Sequence, residues 1–528
     1  MRGIGGAIVL VGLLAALCAP ASAGLRVGPA SAGPRVGPAT RPSDFNGDGR
    51  SDLAIASIQD GGTAPGQVNV LYGRASGLST LGAQLWSFNS AGVPGASQGG
   101  DHFGFALASG DFNGDHRADL AIGAPDYSLP AQLGGQGGDG AVLILYGSAT
   151  GLKAAGSQFW SLLSIGVDGD PASASSFGQS LAAGDFNGDG KADLAIGSGG
   201  DSGPSAVNVL YGSASGLSAT GSQRWTRDSP GILGASEDGD GFADSLAAGD
   251  FNGDLRADLA IGATFDSSSG VQSSGGVNVI YGSAGGLTAA GNQLWTQNSP
   301  GIAGAAESND DFGLDVATGD FNGDHHDDLV VGVAGEDIPG ASGCCQGAVN
   351  IIYGSPSGLT ATGNQLFDPE TSGVAGTATD NEVFGLGLAT GDFTGDGRDE
   401  LAIGGYRGVI GGKESGLVTV LKGSSGGLIS SGSAVWSQDS ASVPGVAEPL
   451  DQFGYDVATG DYKGTESSDL VVGVPGESYG GTHSAGAVNV IYSNGTQLSG
   501  SGSQLWDRAS SGVPGAPQVN GTFGFTVH

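Results

Sequence analysis

The chain has 528 residues, with 18 basic side chains against 53 acidic ones, a formal charge of −35, 105 glycines and 3 cysteines. A chain this acidic is excluded as a partner of nucleic acid or of anionic membranes, both of which repel it. Three cysteines do not supply the soft ligands that a zinc site wants.

In chain order, residues 1–23 read as a secretory leader. Arg2 is the charged start, residues 8–17 the apolar core, and Ala21-Ser22-Ala23 the small-residue cleavage site, with cleavage expected after Ala23. Cys18 invites a lipoprotein reading, but Leu17 stands where a lipidation motif needs a small residue. Residues 24–42 contain Arg-Val-Gly-Pro-Ala twice and read as a flexible linker. Nothing beyond residue 23 is apolar for long enough to span a bilayer. The expected product is secreted, and loss of Arg2 leaves 17 basic and 53 acidic residues, a charge of −36.

From residue 43 to 528 the chain repeats itself. Asp-Phe-Asn-Gly-Asp-x-x-x-Asp-Leu, whole or decayed, begins at Asp44, Asp111, Asp185, Asp250, Asp320, Asp392 and Asp461, at intervals of 65 to 74 residues. A Phe-Gly pair precedes five of these loops by eight residues, at Phe103, Phe177, Phe312, Phe384 and Phe453. After each loop come a short apolar run, a Gly-rich stretch and a second run ending in an aromatic, as at 68–72, 142–146, 207–211 and 277–281. A Gly-Leu turn then leads to a Gln-x-Trp segment. All six tryptophans fall at that position, and Phe367 takes it in the fifth repeat. Runs of four to six residues rich in Val, Ile, Leu and Tyr, bounded by Gly, Ser, Asp and Pro, are strands. Four strands per repeat and seven repeats predict an all-β fold, a seven-bladed β-propeller of four-stranded antiparallel blades. The first repeat lacks a Phe-Gly strand, and the chain ends on Phe523-Gly524-Phe525-Thr526-Val527-His528. Pairing of that C-terminal strand beside residues 53–56 is expected to complete the first blade.

The acidic loops have the composition of calcium sites. Calcium takes six to eight hard oxygen ligands in flexible geometry. Side chains at positions 1, 3, 5 and 9 of a nine-residue loop can converge on one ion, with the carbonyl of position 7 added and Gly at position 4 permitting the bend. Five loops are complete: Asp44/Asn46/Asp48/Asp52, Asp111/Asn113/Asp115/Asp119, Asp185/Asn187/Asp189/Asp193, Asp250/Asn252/Asp254/Asp258 and Asp320/Asn322/Asp324/Asp328. The sixth, Asp392/Thr394/Asp396/Glu400, has a weaker oxygen and a longer arm. The seventh has Lys463 and Thr465 at positions 3 and 5, so an ammonium stands where the ion would and the loop reads as metal-free. Five or six structural calcium ions are expected. Single Asp-Asn-Gly clusters are ordinary turn formers, but five complete copies in register are not. His116, Leu255 and His325 at position 6, in place of Gly, predict unequal affinities.

These residues resemble the FG-GAP repeats that form the propeller of integrin alpha subunits: Phe-Gly, the acidic loop, and then Gly123-Ala124-Pro125. Phe242-Ala243 and Gly473-Val474-Pro475 are decayed forms. The resemblance implies structural calcium and an extracellular adhesion or ligand-recognition role, with a protein or glycan partner. In such a propeller, the connections opposite the acidic loops carry recognition. Here they are the irregular segments 87–102, 125–140 and 334–347, with Asp126, Tyr127, Tyr406, Tyr479 and the Cys344-Cys345 loop as candidate contacts. Cys344 and Cys345 could close a vicinal disulfide, bridge two chains, or be loop thiols without a role. No repeated Ser or Cys accompanies the six histidines and no Gly-x-Ser-x-Gly element sits between a strand and a helix, so the reading is not an enzyme. A secreted carbohydrate-binding lectin is the alternative, and a propeller-type polysaccharide hydrolase or lyase the third.

Overall fold

The computed structural model describes residues 43–528 other than 59–64, 130–136, 171–174, 201–202, 238, 268–269, 342 and 480. The expected leader, the linker and Cys18 lie outside the described residues. No helix among the described residues is long and apolar enough to cross a membrane.

The short β-branched runs form antiparallel sheets, each built in chain order from the ring's centre outward. Blade 2 shows the pattern: Leu107–Gly110, Asp119–Ala124, Ala141–Tyr146 and Lys153–Trp160. Blades 3 to 7 repeat it, with first strands Ser180–Gly184, Phe242–Gly249, Phe312–Gly319, Leu388–Gly391 and Val457–Gly460. Blade 6 adds a small hairpin, Val409–Ile410 with Lys413–Glu414. Blade 1 has three strands of its own, Leu53–Ser57, Gln67–Tyr72 and Ser79–Trp86. Its inner position is taken by the C-terminal segment. Ala54 and Ala56 donate to the carbonyls of His528 and Thr526 at 2.8 Å, and His528 donates back to Ala54 at 3.0 Å. The Asp456 carboxylate of blade 7 accepts the Val527 N–H at 2.8 Å, so the segment is tied to both neighbours.

A blade has two apolar faces and cannot bury either alone, so the core lies between blades. One apolar cluster fills each junction, for example Val207, Val209 and Tyr211 of blade 3 against Leu246, Leu259 and Ile261 of blade 4. An eighth cluster joins the inner ends of the blades and contains Leu314, Leu386, Tyr455 and Phe525 with Tyr406. The first four of these follow the Phe-Gly pairs by one residue.

Two polar devices recur at the junctions. On the face that carries the acidic loops, hereafter the lower face, the N–H at loop position 8 donates to the carbonyl at position 1 of the preceding blade. Ala118 donates to Asp44 and Ala192 to Asp111 at 3.0 Å, and Ser51 donates to Asp461 at 3.0 Å, which carries the series across the closure. The second device is a latch. Tyr146 Oη donates to Gln158 Oε1 at 2.5 Å and accepts the Leu217 N–H at 3.2 Å, while Gln158 Nε2 donates to the Leu217 carbonyl at 3.0 Å. Tyr72, Tyr211, Tyr281, Tyr353 and Tyr492 do the same, the last reaching Leu78 across the closure. The Gly of each Gly-Leu turn makes room: a Cβ on Gly216, at φ +99°, would stand 1.8 Å from Tyr146 Oη. Only the junction of blades 6 and 7 differs. There Lys422, Ala434 and Gln497 occupy the Tyr, Gln and Gly positions.

The outer strands are exposed edges with few charges. Each carries a mid-strand Gly at positive φ, such as Gly156 at +86°, beside a register shift. A bulged edge is a poor template for another strand.

Candidate metal centres

In blades 2 to 7 the acidic loop links the first and second strands, in blade 1 it leads into Leu53–Ser57, and each loop is wound around its first aspartate. In blade 1, Asp44 Oδ1 accepts the N–H groups of Gly47 at 2.7 Å and Asp48 at 3.1 Å, and Oδ2 that of Gly49 at 2.8 Å. Asp185, Asp320 and Asp392 wind their loops in the same way, accepting from Gly188, Gly323 and Gly395 at 2.7, 2.7 and 2.6 Å. Position 6 is left-handed in every loop: Gly49 +83°, His116 +66°, Leu255 +68° and His325 +70°. That region costs a residue with a Cβ about 1 kcal/mol, so the copies that lack Gly are strained. The last carboxylate is fully buried and joins two strands. Asp52 Oδ2 accepts the Phe45 N–H at 3.0 Å and Oδ1 the Gly73 N–H at 2.9 Å. Asp119, Asp193, Asp258, Asp328 and Asp469 repeat both bonds. Asn46 lies between, with Nδ2 3.3 Å from Asp52. Asn113 and Asn252 are placed likewise.

The fold holds positions 1, 3, 5 and 9 of each loop close together, with the side chains of positions 3 and 5 engaged inside the loop. The position-5 carboxylates are exposed and turned to their own backbone. Asp48, Asp115, Asp189, Asp254, Asp324 and Asp396 each accept the N–H of the residue two places on, at 3.0 or 3.1 Å. At position 3 the amide oxygen is engaged inside the loop: Asn187 Oδ1 accepts the Asp189 N–H at 2.8 Å and Asn252 Oδ1 that of Asp254 at 2.9 Å. Asn322 is half-buried beside the exposed Asp324. Thr394 spends its hydroxyl proton on Glu400 Oε1 at 3.3 Å. The reason is electrostatic. Carboxylates at positions 1, 5 and 9 repel one another, and each takes the nearest N–H donors. Among the described residues, the only trio of acid or thiol side chains with ligating atoms within 4.8 Å of one another is Asp337, Cys344 and Cys345.

The electrostatics favour a cation in the loops. Burial pushes Asp52 up to about 8, and the neighbouring carboxylates of Asp44 and Asp48 push the same way. Asp119, Asp193 and Asp258 reach about 8 for the same causes, and Glu400 about 7. Asp328 is raised well above the ordinary range. Three carboxylates, one buried, have no internal counter-charge of equal size. The donor set is all oxygen, so the residues of six loops fit calcium. In blade 7 the Lys463 Nζ lies 3.7 Å from the centroid of the Tyr492 ring, and its charge pulls the buried Asp469 downward against burial.

One loop position escaped the motif: position 7 is basic in six loops, as Arg50, Arg117, Lys191, Arg256, His326 and Arg398. These side chains pair with position 5, for example Arg256 with Asp254 at 3.2 Å and Arg398 with Asp396 at 3.1 Å. They also lie across the preceding loop. A Cβ on Gly47 would be 3.1 Å from Arg117, and one on Gly188 3.0 Å from Arg256. The position-4 glycine is thus needed for this cover as well as for the bend. The recurrent basic residue was visible in the sequence, but its target in another repeat was not.

On the opposite, upper face two expected contacts are corrected. Tyr127 is buried against Phe88 and Phe159, with centroids 4.9 and 5.3 Å away. Tyr406 is buried at the inner cluster, 5.6 Å from Tyr455. Both fill apolar space that no neighbouring strand covers. Asp126 is exposed and pairs with His102, and Tyr479 is half-buried. The sulfurs of Cys344 and Cys345 are 3.3 Å apart, a contact and not the ~2.05 Å of a bond.

Comparison with known proteins follows the same landmarks. The FG-GAP repeat family matches residues 103–145, 177–210, 242–280, 312–349 and 384–421, and the FG-GAP-like repeat family matches residues 44–122. Integrin alpha-PS2 of Drosophila melanogaster is 33% identical over 226 residues, 42% of this chain and 14% of that protein. Phosphatidylinositol-glycan-specific phospholipase D of Homo sapiens is 33% identical over 180 residues, 32% of this chain and 19% of that protein. AofleA from Arthrobotrys oligospora overlaps 76% of the chain at 8% identity with a TM-score of 0.35. With its Phe-Gly strands, acidic loops and seven blades in place, the chain is an FG-GAP repeat protein folded as a β-propeller.

Proposed function

We propose that the chain is an exported recognition module: a calcium-stabilised propeller that binds an extracellular protein ligand with its upper face. The observation that supports it most is the division of labour between faces. The lower face repeats one loop design seven times, whereas the upper connections differ from blade to blade in length and side chains. A rigid scaffold with one variable face is how repeat proteins recognise partners. Integrin alpha-PS2 and the phospholipase D relatives share the repeats within much longer chains, which fits a module used in different settings. The module is read as non-enzymatic, with the leader at 1–23 directing export and the linker at 24–42 preceding the ring.

Calcium should raise stability in proportion to occupancy. At about ten times Kd each loop contributes roughly 1.4 kcal/mol. Six loops sum to about 8 kcal/mol, the scale of a whole domain's stability. Chelator is therefore expected to lower Tm sharply, and an unchanged Tm sinks the calcium reading. For the ligand, the full chain is crosslinked to cell surfaces and applied to a glycan array in calcium. Capture of a surface protein, lost on Asp126→Lys, supports recognition through the upper face. Glycan binding without protein capture favours the lectin alternative.

A further inference from the structure

At four junctions the residue two places beyond the outer-strand aromatic meets the next blade's upper connection: Phe88 with Tyr127, Arg227 with Asp266, Gln297 with Glu336 and Gln438 with Glu477. Between blades 3 and 4 that residue is Arg227, whose side chain is wholly buried. Its Nε donates to Asn278 Oδ1 at 3.2 Å, and Nη1 and Nη2 lie 2.6 and 3.0 Å from the two oxygens of Asp266. Asp240 is 3.9 Å away. Asn278 is oriented by its own Nδ2, which donates to the Leu233 carbonyl at 2.8 Å.

Between blades 4 and 5 the same frame holds no guanidinium. Gln297 stands for Arg227, Glu336 for Asp266, Asn350 for Asn278 and Asp310 for Asp240. The backbone fixes the equivalence. Gly275 donates to the Asp266 carbonyl and Gly347 to that of Glu336, both at 3.0 Å, and Asn350 Nδ2 donates to Ala303 at 2.9 Å. Gln297 Nε2 reaches Glu336 Oε2 at 2.6 Å. What is left over is oxygen. Gln297 Oε1, on a residue 3% exposed, accepts no hydrogen bond from any described group, and neither does Asn350 Oδ1, which shares that state with Asn69 and Asn208 at other junctions. Glu307, Asp310 and Asp368 all repel the Glu336 charge. Blades 6 and 7 repeat the arrangement. Gln438 Nε2 is 2.5 Å from Glu477, Asn489 Nδ2 donates to Pro444 at 2.7 Å, and Gln438 Oε1 and Asn489 Oδ1 are again buried without a donor.

A buried acceptor without a donor is costly, and so is a buried carboxylate whose charged neighbours are mostly acids; at Asp451 the Lys413 charge is opposed by Glu477 and Glu448. A hard cation satisfies amide and carboxylate oxygens together. We propose that these two junctions each bind a divalent hard cation of the calcium class where junction 3–4 holds the Arg227 guanidinium. The ligands are Gln297, Glu336 and Asn350 with Asp310 alongside, and Gln438, Glu477 and Asn489 with Asp451 alongside. Both sites lie on the upper face, away from the acidic loops, and add two ions to those of the loops.

The test is native mass spectrometry of the full chain in calcium, with Tm in chelator as a second readout. Gln297→Arg should remove one ion and raise Tm in chelator, since the guanidinium restores the junction 3–4 arrangement. Gln438→Arg should do the same, and the double variant should lose two ions. Glu336→Gln, nearly isosteric, should also lose one ion if either arginine folds poorly. Asp119→Asn, in a loop, serves as the comparison. Ion loss with Asp119→Asn but not with the junction variants overturns this proposal and leaves the loop sites standing. Loss with the junction variants alone does the reverse. Wild-type ion number in every junction variant likewise overturns the proposal and leaves both places to water.

Discussion

The buried position-9 carboxylates make stability depend on pH in a direction that reveals the ion. Asp52, Asp119, Asp193 and Asp258 sit near 8 in the folded chain, against an ordinary value of about 4. Between those values the folded state holds protons that the unfolded chain has released, so the favourable contribution is complete below pH ~4 and lost as pH rises through ~8. In chelator, urea midpoints should therefore fall as pH goes from about 5 to 8. In saturating calcium the ionised form is the one bound, so the fall should disappear and the midpoint should stay level over the same window. A flat profile in both conditions contradicts the buried, uncompensated acids. A second residue-scale test concerns the seventh loop. Lys463→Asn with Thr465→Asp rebuilds the set present in Asp111/Asn113/Asp115/Asp119, and should add one calcium to the ion count by native mass spectrometry. No gain would mean that the loop is excluded by something other than the ammonium over Tyr492. Sequence spacing put Asp115, Asn187, Asp189, Asn322, Asp324 and Thr394 in their loops. It did not give the direction of their oxygens, which at Asp115, Asn187, Asp189 and Asp324 is decided by a backbone N–H two residues away.

At the scale of the blade, the latch makes the Gly-Leu turn sensitive to a single methyl. Gly216→Ala places a Cβ in contact with Tyr146 Oη at positive φ and should cost about 3 kcal/mol or more by denaturant unfolding. Tyr146→Phe leaves the Leu217 N–H without its acceptor and should cost about 1–2 kcal/mol. Equal effects of the two would argue that space plays no part. The strands, the loops and the recurrent Tyr, Gln and Gly were all legible in the sequence, because each copy repeats them at fixed spacing. Their partners were not, because Tyr146 and Leu217 lie in different copies and no spacing within one repeat joins them. Tyr127 and Tyr406 were misjudged for the same reason. They lie in irregular segments that look like surface, yet Phe88 of the previous blade and Tyr455 of the next cover them.

At the scale of the ring, the C-terminal segment both completes blade 1 and covers Leu53–Ser57. Deleting residues 522–528 removes Phe523, Val527 and the bonds to Ala54, Ala56 and Asp456, and exposes an inner strand edge. Tm should fall far more than on deleting residues 24–40, and the truncated chain should associate in size-exclusion chromatography. A truncated chain that melts and elutes like its parent rules out a stabilising closure.

The junctions also bear on ancestry. Repeats that arise by copying begin alike, yet the residues that now differ in concert belong to separate copies: Phe88 with Tyr127, Arg227 with Asp266, Gln297 with Glu336, and Lys422 and Ala434 with Gln497. The fit at each of these seams is set by residues of two copies together. The blades have consequently ceased to be interchangeable parts. Exchanging blades 4 and 7 would set Gln497 where Gly286 now makes room for Tyr211, whose Oη would stand 1.8 Å from a Cβ at that place, and a shuffled gene would encode seven sound blades in an order that its own seams reject.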